Sequence, residues 1–240
     1  MSSYYYETIP IKREYTHIGQ FKKLWSTPIA EFVCTLSNIN NIRDTIKKIA
    51  YQKKNNADKS IETNVSSKIK YNIFESNFSF LNLEKQTSLS EADSKNLCEI
   101  IDWFKICISD YYHVFFKKEK ALSEIRIKES WIHITNNNGY HGPHIHQNCS
   151  ICGNFYVDIG ESNIKNMNGI NCFFSPISTD LSIDGYDYYS TADTIIPQDF
   201  KLTLFPPNIL HNATPYSGKT DRIVLAFNAL YGSANIEHIA

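Results

Sequence analysis

The sequence contains no long apolar run and no excess of charge of either sign. A membrane-spanning helix needs roughly 18 apolar residues in a row, and the most apolar stretch, LCEIIDWFKICI (97–108), is interrupted by two acidic residues and a lysine. The formal net charge is −1 over 240 residues, which gives no electrostatic basis for binding nucleic acid or a membrane surface. The opening stretch MSSYYYETIPIKREY has no apolar h-region, so we expect no signal peptide. We therefore predict a cytoplasmic protein with no membrane partner, for which nucleic acid is a disfavoured partner.

Cysteine is present without the regular spacing of a disulfide framework. The six cysteines stand at positions 34, 98, 107, 149, 152 and 172, within apparent core segments. This distribution favours reduced, buried thiols. Cys149 and Cys152 form one C-x-x-C pair, which is weak evidence for a metal or redox site without a second pair. We interpret these two as packing residues.

The first half of the chain has the pattern of one strand and two helices. Residues 24–36 predict an early strand, and isoleucines at helical spacing predict a helix over about 38–53. The polar stretch 53–70 predicts a loop. Ser88-x-x-Glu91 resembles a capping box, and the apolar residues that follow it keep a four-three rhythm over five turns. They are Leu97, Ile101, Phe104, Ile108, Tyr111 and Phe115.

After Lys120 the pattern changes to short apolar runs separated by Asn, Gly, Pro and Asp. This cadence is typical of antiparallel strands in a sandwich, barrel or jelly roll. The length suits one domain. We therefore predict a single domain over residues 1–240, mainly β with N-terminal helices (α+β). A helical N-terminal elaboration covers about 1–120, and the β-rich core covers about 121–232.

Three of the eight histidines lie within six positions, in the stretch NNNGYHGPHIHQNCSICGNFYV (136–157). Side chains alternate along a strand, so His144 and His146 share one face about 7 Å apart. Together they can hold one ion, with His211 in FKLTLFPPNILHNATPYSG as the best candidate for a third ligand. Imidazole ligands with an open coordination position suit Fe, Zn, Cu or Ni rather than Mg or Ca.

A His-x-His pair is also compatible with surface or hydrogen-bonded histidines that bind no metal. His141 fits that second class, because its parity and the flanking Gly139 and Gly142 predict a loop position. The sequence pattern alone leaves both interpretations of the pair open.

Two segments together resemble a known family. SWIHITNNNGYHGPHIHQNCSICGNFYV followed by LTLFPPNILHNATPYSGKTDRIVLAFN is similar to the Fe(II)/2-oxoglutarate-dependent oxygenases of a His-x-His…His…Arg subgroup. The early LWSTPIAEF is similar to the opening of that subgroup. The resemblance spans roughly residues 21–231 and is densest in 130–157 and 202–228. It implies a double-stranded β-helix (jelly-roll) core, Fe(II) as the metal, and 2-oxoglutarate and O₂ as co-substrates.

Carried over by position, the resemblance assigns His144 as the first metal ligand and His211 as the distal one. It assigns Arg222 to the remote carboxylate of 2-oxoglutarate, which a planar guanidinium can bind bidentately. The alternative for Arg222 is an ion pair with Asp221 or another acid. Most of the superfamily has a carboxylate where this chain has His146. Asp158 and Glu161 follow closely and offer carboxylates, but the subgroup pattern favours His146 as the ligand.

The alternation of side chains along a strand also predicts which residues surround the metal site. Asn154 and Tyr156 share the face of His144 and His146 if the strand has no bulge, and both can donate hydrogen bonds to a bound 2-oxo acid. A core tyrosine with a satisfied hydroxyl is the alternative for Tyr156. Arg222, Val224, Ala226 and Asn228 likewise share one face.

The sequence therefore predicts an Fe(II)- and 2-oxoglutarate-dependent oxygenase, with hydroxylation of a small-molecule or peptide substrate as the default outcome. Two other classes of protein would use the three histidines differently. A three-histidine dioxygenase or zinc hydrolase would need His144, His146 and His211 but no 2-oxoglutarate, and a non-enzymatic jelly-roll binding module would need none of them. Nothing in the sequence selects the primary substrate or the oligomeric state.

Overall fold

The computed structural model describes residues 17–24, 27–57, 70–86, 89–176 and 192–232. Within them lie two α-helices, α1 (Ile39–Asn56) and α2 (Glu91–Phe116), and ten strands. The strands are β1 (His17–Leu24), β2 (Thr27–Cys34), β3 (Lys70–Glu75), β4 (Ile125–His144), β5 (Ile151–Asp158), β6 (Asn171–Phe174), β7 (Ala192–Ile195), β8 (Lys201–Phe205), β9 (His211–Tyr216) and β10 (Arg222–Tyr231).

Both predicted helices are present, with changes at their ends. Helix α1 continues to Asn56, beyond the predicted end at 53, and buries Ile42, Ile46 and Ile49 on one face. Ser88 of the predicted capping box lies outside the described residues. The N-cap of α2 is Ser90, whose hydroxyl oxygen accepts a hydrogen bond from the Asp93 amide at 3.1 Å. This bond satisfies one of the amide donors that a helix start leaves unpaired.

All ten strands belong to one antiparallel sheet that curls on itself. Its order is β1-β2-β8-β5-β10-β4-β9-β6-β7, and β3 pairs with β4 outside that path. The 20-residue strand β4 connects the two halves of the sheet, because its first part pairs with β10 and its last part with β9. Register shifts near His141 bend this second part of the pairing, as β-bulges do.

The sheet separates two apolar layers according to strand parity. One face of β5 and β10 packs against the helices, where Phe104 of α2 lies 5.3 Å from the ring of Phe155 and 4.9 Å from that of Phe227. The other face points into the curl of the sheet, where Tyr156 and Val224 lie in a second cluster. The predicted alternation along these two strands is therefore confirmed.

The described N-terminal part contributes strands as well as helices to this sheet. Strand β2 pairs with β8 and strand β3 with β4, although both precede residue 120. The division of the chain near residue 120 and its treatment as one domain stay predictions. Neither of the two described helices combines the length and apolarity that crossing a membrane requires.

Candidate metal centre

The three histidines selected from the sequence lie together at one end of the curled sheet. His144 is the last residue of β4 and His211 the first of β9, and the two are paired directly across the strands. His146 follows β4 by two residues, held by a hydrogen bond from its amide to the Pro207 carbonyl (2.8 Å). One ring nitrogen from each histidine lies within 4.8 Å of the other two.

Hydrogen bonds fix the tautomer of each ring. The Nδ1–H of His144 donates to the Gly142 carbonyl (2.9 Å), and that of His211 donates to the Ile209 carbonyl (3.0 Å). A carbonyl oxygen only accepts, so both rings carry their proton on Nδ1. The Nε2 atoms of both rings keep free lone pairs.

The third ring is held by a side chain instead of a carbonyl. The Nδ1 of His146 lies 2.8 Å from Oδ1 of Asn228, whose Nδ2 donates to a Glu129 carboxylate oxygen at 2.8 Å. A carboxylate accepts from the NH₂ group and not from the oxygen, so it sets the orientation of the amide. The Asn228 oxygen must then accept the Nδ1–H of His146, which leaves a third Nε2 free.

Burial keeps the three imidazoles neutral. It lowers the pKa of His144 to about 4, although the Gly142 carbonyl raises it, and it lowers the pKa of His211 well below the usual value. The pKa of His146 is also lowered by burial, against the opposing effect of Asn228. Neutral imidazoles with free Nε2 atoms are the form that binds a divalent transition metal.

No described carboxylate joins this cluster. The only group of three or more candidate ligands among the described residues is the histidine trio itself. Asp158 forms an ion pair with Lys47 of α1 at 2.5 Å, and Glu161 is exposed in the turn after β5. The structure therefore brings His146 to the cluster and keeps the two alternative carboxylates apart from it.

The prediction of a loop position for His141 was wrong. His141 lies within β4, is buried, and stacks on His144 with ring centroids 3.9 Å apart. It lines the same cavity, as does His133, whose Nε2 faces Glu75 at 2.6 Å. Parity failed at His141 because the register shifts of β4 break the regular alternation.

Arg222 is buried beside the histidines without an acidic partner. Its side chain lines the same cavity, its Nη2 donates to Asn171 Oδ1 at 2.8 Å, and its guanidinium lies 5.5 Å from the centre of the Tyr156 ring. Asp221, the alternative partner, instead accepts from Tyr51 and Asn136. Arg222 forms no ion pair with any described residue, although burial of an unpaired cation is costly.

Three buried polar atoms near Arg222 have no hydrogen-bond partner among the described residues. They are Arg222 Nε, the Tyr156 hydroxyl and the Thr203 hydroxyl. The Tyr156 hydroxyl lies beside Thr203 and Arg222, and burial raises its pKa. Buried polar atoms are normally paired, so this group fits a polar ligand.

Asn154 and Thr203 lie side by side on neighbouring strands of the sheet near this group. Asn154 of β5 lines the cavity and stands opposite Thr203 of β8 in the sheet. Sequence reasoning placed Asn154 on this face but missed Thr203. The alternation of FKLTLFPP contains the missing signal, because Thr203 and Phe205 share a face and Phe205 lies in the inner cluster.

The C-x-x-C pair lies close to this site but outside the histidine cluster. The Cys149 and Cys152 sulfurs are 3.7 Å apart, and both thiols are free. Burial raises the pKa of the Cys152 thiol well above the usual value. Its interpretation as a packing residue is consistent with that burial.

Comparison with known proteins identifies the segment that carries these residues. Residues 129–228 match the family model described as "Putative 2OG-Fe(II) oxygenase". This segment belongs to the 2OG-Fe(II) oxygenase family. The match contains all three clustered histidines and Arg222. Fe(II), 2-oxoglutarate and O₂ are accordingly the cofactor and co-substrates of this oxygenase.

Solved structures support the fold of the oxygenase. A prolyl hydroxylase from Trichoplax adhaerens, in complex with a hypoxia-inducible factor oxygen degradation domain peptide fragment, is 11% identical and superposes with a TM-score of 0.53, covering 82% of this chain and 79% of that one. The non-haem α-ketoglutarate-dependent epimerase SnoN from nogalamycin biosynthesis is 10% identical, with a TM-score of 0.52 and coverages of 79% and 73%. The predicted double-stranded β-helix is confirmed. A comparison with curated proteins gives no match.

Proposed function

We propose that this oxygenase hydroxylates a C–H bond of a small-molecule or peptide substrate, with Fe(II) bound by His144, His146 and His211. The three free Nε2 atoms support this ligand set, because each ring is neutral and oriented by a hydrogen bond at Nδ1. Imidazole is a suitable ligand for iron. Three protein ligands leave positions open for other groups, as catalytic metal sites require.

The observation that carries the proposal is the buried, unpaired Arg222 in the same cavity as the three histidines. A dicarboxylate such as 2-oxoglutarate would present one carboxylate to the guanidinium and its 2-oxo acid end to the metal. The Tyr156 and Thr203 hydroxyls and Arg222 Nε are the unpaired atoms that this remote carboxylate would satisfy. A charge-assisted, partly bidentate contact of this kind is among the stronger hydrogen bonds in proteins.

The protein residues position the reactants and restrict water. When bound, Fe(II) with 2-oxoglutarate and O₂ supplies the oxidant, and 2-oxoglutarate leaves as succinate and CO₂. Arg222 would hold the co-substrate, and Asn154, in the wall of the same cavity, would offer it a hydrogen-bond donor. Val224 and Ala226 of β10 and the Trp131 ring form the apolar part of the same cavity wall. An apolar wall keeps bulk water from a reactive centre.

The class of substrate is supported by the relatives and the charge of the chain. The Trichoplax prolyl hydroxylase holds a peptide fragment, and SnoN acts in the biosynthesis of a natural product. Neither of these two names includes a nucleic acid, and the net charge of −1 on this chain provides no surplus of cations for binding one. We therefore propose that the substrate is a small molecule or a peptide and not a nucleic acid.

A turnover assay tests the proposed function. Protein loaded with Fe(II) in air should convert 2-oxoglutarate to succinate slowly, and faster when its substrate is added. Arg222→Ala should retain iron and lose most of this turnover, while Arg126→Ala, which removes an exposed arginine of β4, should keep it. Iron-loaded wild-type protein that forms no succinate under these conditions would contradict the proposal and favour a three-histidine enzyme that does not use 2-oxoglutarate.

A further inference from the structure

One of the three histidines is connected to a carboxylate, and the other two are not. His146 Nδ1 contacts Asn228 Oδ1 at 2.8 Å, and Asn228 Nδ2 contacts Glu129 Oε2 at 2.8 Å. His144 and His211 instead donate to backbone carbonyls. The sheet register creates the chain of contacts, because Asn228 of β10 stands directly opposite Glu129 of β4.

We propose that Glu129 and Asn228 are positioning residues that make His146 an electron-rich metal ligand. The inference rests on the proposed ligand role of His146. The Glu129 charge polarises the Asn228 amide, whose oxygen then accepts more strongly from the Nδ1–H of His146. This raises the donor strength of Nε2, as hydrogen-bonded carboxylates do for metal-bound histidines. The pair thereby returns part of the negative charge that the site lacks where most of the superfamily has a carboxylate ligand.

The surroundings of the pair support a specific role. Asn228 is only 5% exposed, and both ends of its amide are engaged in a defined direction. The closest cation to Glu129 among its ion pairs is Lys128, at 4.0 Å, a contact too long to account for the carboxylate's position. Cys152 is a natural comparison, since its thiol donates to the same Asn228 oxygen at 3.4 Å without carrying a charge.

Metal affinity provides the first test. Fe(II) binding would be measured without oxygen, by competition with a chromogenic chelator, so that no turnover is needed. Glu129→Gln keeps the contact with Asn228 but removes the charge, and it should weaken affinity about tenfold. Asn228→Leu removes the whole connection and should weaken affinity by about 10–100-fold, the range for such partners. The Fe(II) affinity of the control variant Cys152→Ala should stay within about twofold of wild type. This change is well below the tenfold or larger loss expected when an outer-shell partner of a metal ligand is removed.

A charge swap separates this role from a purely structural one. In the double variant Glu129→Gln with Asn228→Asp, the new glutamine can donate to the new aspartate, whose carboxylate accepts from His146. Metal affinity should recover to at least the wild-type value, although each partner has been replaced. Nitrogen-15 spectra of histidine in the metal-free protein should show the Nδ1–H tautomer of His146 in wild type and the swap, and its loss in Asn228→Leu.

The outcomes distinguish failure of the positioning role of Glu129 and Asn228 from failure of the ligand role of His146. In one outcome, His146→Ala weakens metal binding, but the metal affinities of Glu129→Gln and Asn228→Leu both stay within about twofold of wild type, below the tenfold loss expected for such partners. The inference is then overturned, and the assignment of His146 as a ligand stands. If His146→Ala leaves metal binding unchanged, the ligand assignment fails and the inference fails with it. Weakening in both outer variants with recovery in the swap supports the inference.

Discussion

At the residue scale, the three clustered histidines differ from the neighbouring histidines in the ring nitrogen that forms the hydrogen bond. His144, His146 and His211 all engage Nδ1, whereas His133 engages Nε2 with Glu75. The His141 ring forms no hydrogen bond with a described residue and stacks on His144. The cavity therefore contains five histidines but only three that converge with oriented, free Nε2 atoms.

This difference predicts distinct effects on metal binding. The protein should bind about one divalent ion per chain, since the described residues contain one such trio, and His211→Ala should abolish binding. His146→Ala should weaken it at least tenfold, because a lost ligand should cost more than a lost outer-shell partner. Calorimetric titration with Fe(II) under nitrogen measures both effects.

The matched control is His141→Phe, which keeps a flat ring against His144 and removes both nitrogens. It should leave the stoichiometry and affinity close to wild type. Strong loss of metal in this variant, with wild-type binding in His146→Ala, would reverse the assignment of the two residues.

Sequence patterns predicted the clustered histidines better than the residues around them. His144, His146 and His211 could be selected from spacing and resemblance, and Arg222 from resemblance. The roles of Asn228 and Glu129 depend on the register between β10 and β4, which no local pattern determines. Long-range register of this kind is set by the packed sheet as a whole.

At the element scale, the packing of α1 against α2 is anchored by Asp93. Its carboxylate accepts from Lys48 at 2.8 Å and from Thr45 at 3.1 Å, both on α1, and from Ser90 at the start of α2. Lys48 and Ser90 lower the pKa of Asp93 from 3.8 to about 2. A lowered carboxyl pKa means that the folded state favours the charged form.

This shift predicts how the stability depends on pH. The contribution of Asp93 is present above its unfolded pKa, near 4, and is lost as the pH falls toward 2. Urea unfolding should show Asp93→Asn less stable than wild type at pH 6, with the difference shrinking between pH 4 and 2. A constant difference over that range would contradict the proposed linkage. Glu91→Gln, at an exposed neighbouring position, is the control and should track wild type.

Gly153 of β5 is required by the ring of Phe227 on the neighbouring strand. A Cβ at this position would lie 2.2 Å from the Phe227 ring. Gly153→Ala should therefore lower the free energy of unfolding by about 1–3 kcal/mol, the usual cost of overpacking. Chemical denaturation followed by circular dichroism measures this.

A second substitution checks the cause of that loss. Phe227→Leu removes the ring that the new Cβ would contact, so the double variant should be more stable than the sum of the two single changes predicts. Strict additivity would show that the clash with Phe227 is not the cause.

Elements with a strong period could be predicted, and weakly patterned ones could not. The two helices and strands β5, β8 and β10 follow from their apolar spacing. Strand β9, HNATPY, carries a proline and a single large aromatic side chain, Tyr216, so no apolar run marks it in the sequence. It forms because β4 and β6 pair with it on either side.

At the scale of the whole molecule, the curled sheet brings distant segments to one cavity. His144 and His211 are 67 positions apart in sequence, and Arg222 follows in the next strand, yet all line the same space. The sequence predicted the jelly-roll core through its strand cadence and resemblance. It did not predict that β2 and β3, from the N-terminal part, would extend the sheet, because pairing partners are chosen by the assembled fold.

In the function that we propose, one cavity holds iron on three histidines and 2-oxoglutarate on Arg222. The most direct measurement is a titration of 2-oxoglutarate into the Fe(II)-loaded protein without oxygen, followed by the metal-to-ligand charge-transfer absorption in the visible. Wild-type protein should develop this band with saturation. Arg222→Ala should retain iron and bind 2-oxoglutarate roughly 10- to 100-fold more weakly, as expected for one charge-assisted contact. An iron-loaded wild-type protein that develops no band at any concentration of 2-oxoglutarate would contradict the account.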